Sequence, residues 1–145
     1  MNSSATDIVK AYFGTFSLMS ADKAALFLAD DFQLVGFDEL PLGKEVWVRV
    51  MNALKKAIPD LKFKFSEVQE NGNQVSLNYY ATGTHRGPLD LSALNGPILS
   101  ASGKSVTFPG SQWAFTVVDG KITLEELVSP PSADTGLAGI LKACG

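Results

Sequence analysis

The chain has 145 residues, 46% of them apolar and 19% charged, with a formal net charge of −3 and one cysteine, Cys144. This is the composition of one globular domain over residues 1–145, long enough to bury roughly two-thirds of its unfolded surface without a disulfide or metal staple. The negative balance argues against a nucleic-acid partner, no apolar run approaches membrane-spanning length, and a lone cysteine rules out an internal disulfide.

Thr6 or Asp7 is placed to cap a first helix running to about Leu18, with Ile8, Tyr12 and Phe16 at helical spacing and Val9 and Phe13 widening the stripe. Ser20 then caps a short second helix to about Leu28. Ala29-Asp30-Asp31 breaks into a strand, Phe32 to about Asp38, whose alternation sets Phe32, Leu34, Gly36 and Asp38 on one face. A third helix, Lys44 to Ile58, ends at Pro59, because proline cannot continue the hydrogen-bond ladder.

Four longer strands follow. Leu61–Glu70 and Gln74–His85 flank Asn71-Gly72-Asn73, and Lys104–Val118 and Lys121–Ser129 flank Asp119-Gly120; both are hairpin signals. Between the hairpins lies Arg86–Gly103, rich in Gly, Pro, Ser and Leu, and loops of that length in a compact domain are usually functional or mobile. Pro130-Pro131 ends the last strand. A small-residue linker and a short apolar, helical tail, Leu137–Ala143, complete the chain. Helices followed by antiparallel strands make an α+β pattern, in which a curved sheet wrapped by helices can leave a cavity at its mouth.

Several segments carry a resemblance: the helix–helix–Ala29-Asp30-Asp31–strand opening, the Lys44 helix ending at Pro59, Thr84-His85, Asp119-Gly120-Lys121-Ile122, and Gly136-Leu137-Ala138-Gly139-Ile140-Leu141. In this order and spacing the chain resembles the SnoaL-like polyketide cyclases of the NTF2-like superfamily, which includes ketosteroid isomerase. The resemblance covers nearly the whole chain. It implies an α+β cone, with three N-terminal helices packed on a strongly bent antiparallel or mixed sheet. It also implies an apolar pocket for a small hydrophobic ligand, and a homodimer through the sheet.

The related enzymes abstract a proton beside a carbonyl and stabilise the enolate, which needs a base near a dry pocket and donors aimed at the oxyanion. Tyr12 matches the helix-one tyrosine that donates to the oxyanion in ketosteroid isomerase. Asp38 lies near the strand end that carries the isomerase's base, although counting from Ala29-Asp30-Asp31 puts that base on Gly36. His85, the single histidine, matches a pocket-lining histidine of the cyclases, and an imidazole there can shuttle a proton near neutral pH. These three are the catalytic candidates; a strand-end histidine bonded to backbone and an ordinary loop aspartate are the bland alternatives.

The cyclase aspartate is missing. Counting back from Asp119-Gly120 puts its position on Trp113, and counting by the isomerase puts the corresponding acid on Gln112. Alternation with Phe115 and Val117 favours Trp113 as the inward residue, and neither side chain can transfer a proton at ordinary pH. Glu125 and Glu126 remain as replacement acids: one of the pair should face the sheet interior or the pocket, where burial would raise its pKa, and the bland alternative is an exposed glutamate beside an edge glutamate paired to a lysine. Phe16, Trp47, Gln112, Trp113, Phe115 and Glu126 are the expected ligand contacts, with Arg86–Gly103 as part of the rim.

No metal is expected, since one histidine without neighbouring ligands supplies no coordination shell, and no cofactor motif is present. The amino-terminal residues lack a signal-peptide pattern, so a cytoplasmic location is expected. Three functions fit: an isomerase, cyclase or lyase acting on a small hydrophobic carbonyl compound, a binding protein that has lost catalysis, or a protein-interaction module. The first two differ by whether a carboxylate serves the cavity, whereas the third would have its cavity filled.

Overall fold

The computed structural model describes residues 4–130 and 135–145; the expected linker after Pro130 lies largely outside them. In chain order the elements are α1 (Ala5–Leu18), α2 (Ala21–Ala24) continued by a 3-10 turn (Ala25–Phe27), β1 (Leu28–Val35), β2 (Leu42–Gly43), α3 (Lys44–Ala57), β3 (Lys62–Asn71), β4 (Gln74–Thr84), β5 (Leu89–Asp90), a second 3-10 turn (Ser92–Leu94), β6 (Ile98–Leu99), β7 (Ser105–Val118), β8 (Lys121–Leu127) and α4 (Gly136–Cys144). Ser4, rather than Thr6 or Asp7, caps α1 by accepting from the Asp7 N–H, and Ser20 caps α2 through the Lys23 N–H.

One mixed six-stranded sheet has the order β2-β1-β8-β7-β4-β3. β1 and β8 run parallel, and the other neighbours are antiparallel. The sheet curls around the helices, and its inward side chains form one core with them. Val75 and Leu77 from β4, Phe115 from β7, Leu34 from β1 and Ile122 from β8 are all fully or almost fully buried, together with Val9 of α1 and Val50 of α3. The α+β cone with its bent mixed sheet is the observed fold.

The first strand begins earlier than expected and stops at Val35. Gly36 takes φ +98°, and a Cβ there would strike the Leu127 side chain, so the chain leaves the sheet at this point. Phe32 and Leu34 face the core as the alternation implies. Asp38 falls beyond the break, in a bend, where the alternation no longer governs it.

The segment Arg86–Gly103 folds on itself as the β5–β6 hairpin. Leu89 and Leu91, each 0% exposed, anchor it beside α3. The Arg86 and Gly87 N–H groups both donate to the Ala57 carbonyl, at 2.9 and 3.0 Å, and so satisfy an acceptor that the end of α3 leaves open.

Candidate functional site

The cavity lies between the concave sheet face and the helices, with a volume of about 90 Å³. α1 contributes Tyr12, Phe13 and Phe16; α3 contributes Trp47, Met51 and Leu54, which share one helix face at i, i+4 and i+7. From the sheet come Tyr79, Tyr80 and Ala81 of β4 and Phe108, Ser111 and Trp113 of β7. Three consecutive β4 residues reach the cavity because the β4–β7 register shifts between Tyr79 and Ala81, which breaks the strict alternation. The far wall is Phe37 together with Gly136, Gly139 and Ile140 of α4.

α4 is held there by backbone. The Leu137 N–H donates to the Phe37 carbonyl at 2.9 Å. Gly136 has φ +55°, and a Cβ on it would collide with that same carbonyl, so only glycine fits the approach. Cys144 is buried on this helix, and burial raises its thiol pKa, which makes it a poor nucleophile.

Tyr12 is 1% exposed. Its hydroxyl accepts the Trp47 indole N–H at 2.8 Å and donates to the Met51 sulfur at 3.2 Å. Burial, and then the charge of Glu125, push its pKa well above the ordinary phenol value, while the Trp47 hydrogen bond works the other way. Tyr12 is therefore a neutral donor throughout the physiological range, and its proton rests on a thioether, a weak acceptor.

Glu125 is the buried acid, at 1% exposure. On β8 it pairs with Phe115 of β7 and Leu34 of β1, both buried, so its side chain points to the concave side. The Tyr79 hydroxyl lies 3.3 Å from its Oε2, and its Oε1 has no hydrogen-bond partner among the described residues. Burial pushes its pKa up to about 8, against the opposing pull of the Tyr79 hydrogen bond. Tyr79 responds in turn: burial first, and then the Glu125 charge, raise its pKa well above the usual value. The Tyr79 ring stacks on Trp113 at 6.2 Å and packs against Phe13 at 4.9 Å, so it stands between Glu125 and the open space.

The residues singled out in the sequence divide into two groups. Tyr12, Phe16, Trp47 and Trp113 line the cavity together. Phe115 is fully buried behind Phe13, at 5.7 Å between ring centroids, and does not line it. Gln112 is half-buried on the opposite face of β7, where its backbone N–H donates to Ser129 Oγ at 2.7 Å. Trp113 is therefore the inward residue of that pair. Glu126 is half-buried in register with Ala114 and Val35, one residue out of phase with the inward Glu125.

His85 and Asp38 are not at the cavity either. His85 is 0% exposed, with its backbone paired to Lys104 and Gly103 and its Nδ1 3.5 Å from Ser102 Oγ. The β4 strand carries it past the cavity, toward the base of the β5–β6 segment. Asp38 accepts from the Glu39 N–H at 2.8 Å, a local loop contact. Nor does Arg86–Gly103 supply any of the rim, because its leucines turn inward beside α3.

Among the described residues no cluster of three or more His, Cys, Asp or Glu could hold a metal ion, and no helix is long and apolar enough to cross a membrane.

A comparison with curated proteins gave no match. Among solved structures, the chain is similar to a protein from Jannaschia sp. CCS1 assigned as a SnoaL-like polyketide cyclase, with a TM-score of 0.70 at 18% identity over 97% of this chain and 90% of that one. It is also similar to a SnoaL-like polyketide cyclase from Agrobacterium tumefaciens, with a TM-score of 0.65 at 18% identity over 88% and 91% of the two chains. A third is an epoxide hydrolase of the LEH-like type from M. tuberculosis, with a TM-score of 0.61 at 16% identity over 84% and 75%. At these identities the likeness establishes the fold. The model of the SnoaL-like polyketide cyclases matches residues 6–128, most of the chain, and the protein belongs to that family.

Proposed function

We propose that this protein binds a small hydrophobic carbonyl compound and moves a proton on it, in a reaction of the isomerase, cyclase or lyase type. One observation carries the reading: the acid absent from position 113 has a counterpart one strand over. Glu125 is buried beneath the cavity wall and joined to it by the Tyr79 hydroxyl. A carboxyl with a pKa near 8 exchanges its proton close to working pH, as general acid–base chemistry requires.

In this scheme the Tyr79 hydroxyl faces the ligand: its oxygen takes the proton from the carbon beside the carbonyl as its own proton passes to the Glu125 carboxylate, and the reverse transfer returns a proton to the product. Tyr12 turns its hydroxyl from Met51 to the ligand oxygen and stabilises the enolate. Trp47 keeps that hydroxyl in place by donating to its oxygen. Burial leaves the group in a low-dielectric surrounding, where one well-aimed donor counts for more than in water.

The second reading is a binding protein without catalysis. It is favoured by the fact that Glu125 itself is not among the lining residues.

Exchange of the methyl protons of acetophenone in D2O, followed by NMR, separates the two. Accelerated exchange that is lost in Glu125→Gln supports proton transfer. Binding without exchange in the wild type leaves the binder. A two-fold assembly through the sheet is our proposal for its state in solution, checked by sedimentation at micromolar concentration.

A further inference from the structure

The size, charge and donor inventory of the cavity together narrow its ligand. We infer that it takes an uncharged molecule of one ring, or the aliphatic equivalent, carrying a carbonyl-type acceptor, and that it excludes carboxylates and fused polycycles. This rests on the proposed reading of the cavity as a small-molecule site.

Size comes first. An apolar protein cavity of about 150 Å³ accepts one benzene, and this one has about 90 Å³. Trp113, stacked on Tyr79, takes up room in the wall where the family's shorter acid would stand. A single ring fits with small side-chain adjustments and with part of the ligand in the mouth beside the exposed Tyr80. A three-ring ligand would have to displace Trp113 or lift α4.

Charge is second. None of the described lining residues carries a formal charge. Lys55 lies 6.0 Å from the centre of the Phe16 ring, outside the lining, with its ammonium directed to the Ser17 carbonyl. An entering carboxylate would lose its hydration and find no counter-ion in the lining.

Donors are third. The Trp47 N–H is engaged by Tyr12 and the Tyr79 hydroxyl by Glu125, whereas the Tyr12 hydroxyl is held by the weak sulfur acceptor of Met51; Tyr80, Ser111 and Trp113 bring further O–H and N–H groups to the lining. A carbonyl oxygen outcompetes a thioether for the Tyr12 proton.

The test uses the indole N–H signals of Trp47 and Trp113, the two tryptophans of the chain, in nitrogen-15 correlation spectra at pH 7. Acetophenone, benzoate and 9-acetylanthracene are titrated separately. The expected result is saturable shifts with acetophenone, binding of benzoate weaker by about a hundredfold or more, and no shift with 9-acetylanthracene. In Trp113→Ala the anthracene ketone should gain binding, while benzoate should not.

Benzoate binding within about threefold of acetophenone would overturn the charge argument, and tight binding of 9-acetylanthracene to the wild type would overturn the size argument. Either result leaves the cavity a ligand site. No shift from any of the three in the folded protein would instead remove the reading of the cavity on which the inference rests.

Discussion

The Trp47 indole N–H donates to the Tyr12 hydroxyl at 2.8 Å, across the α1–α3 interface and inside the cavity wall. Tyr12→Phe therefore removes more than a ligand donor. It leaves the Trp47 N–H buried without its acceptor, at a cost of about 1–3 kcal/mol. Denaturant unfolding should show that loss, and acetophenone affinity should fall by about tenfold with the lost hydrogen bond. Trp47→Phe should recover much of the stability when added to Tyr12→Phe, because the orphaned donor is then gone.

Glu125 makes stability depend on pH. The unfolded chain releases this proton near the ordinary 4.5, and the folded protein near about 8. Between those values the native state binds the proton and the unfolded state does not, so stability falls as pH rises, by up to about 1.4 kcal/mol per unit from this group. Chemical denaturation from pH 5 to 9 should show the decline. Glu125→Gln should remove most of the slope and be the more stable protein at pH 9. A wild-type profile that rises over this range would contradict a buried, proton-holding Glu125.

The same group sets the pH profile of proton transfer. As a base, Glu125 must be ionised, so the acetophenone exchange rate should climb with pH and level off above about 8. Tyr79→Phe should lower the rate while leaving acetophenone affinity within about threefold, since the ring and its stacking on Trp113 remain.

Gly136→Ala tests how α4 closes the cavity. The positive φ and the approach to the Phe37 carbonyl both penalise a side chain, and such a change costs about 1–3 kcal/mol where the conformation is required. Here that cost falls on one helix rather than on the whole fold. Amide hydrogen exchange in α4 should speed up strongly, with exchange in β4 and β7 little changed.

Much of the architecture could be read from the chain itself. The Tyr12–Phe16 stripe, the Ser20 cap, the Pro59 stop and the Asn71-Gly72 and Asp119-Gly120 turns are local signals, and each acts through a few neighbouring residues. Alternation along β7 also identified Trp113 rather than Gln112 as inward, because a strand's period is fixed by its pleat.

What the tertiary structure decided is where those faces meet. Gly36 ends β1 against Leu127, a residue of another strand, and so detaches Asp38 from the strand's alternation. The register shift opposite Tyr79 brings Tyr79, Tyr80 and Ala81 to one cavity. β4 takes His85 beyond it, and the return of α4 over Phe37 closes the wall. The choice between Glu125 and Glu126 belongs here too. Two adjacent acids on one strand look alike in sequence, and the phase of β8 against Phe115 and Leu34 sets one of them in the core. Local propensity acts over a few residues, whereas burial, and with it the raised pKa of Glu125, depends on elements about a hundred residues apart.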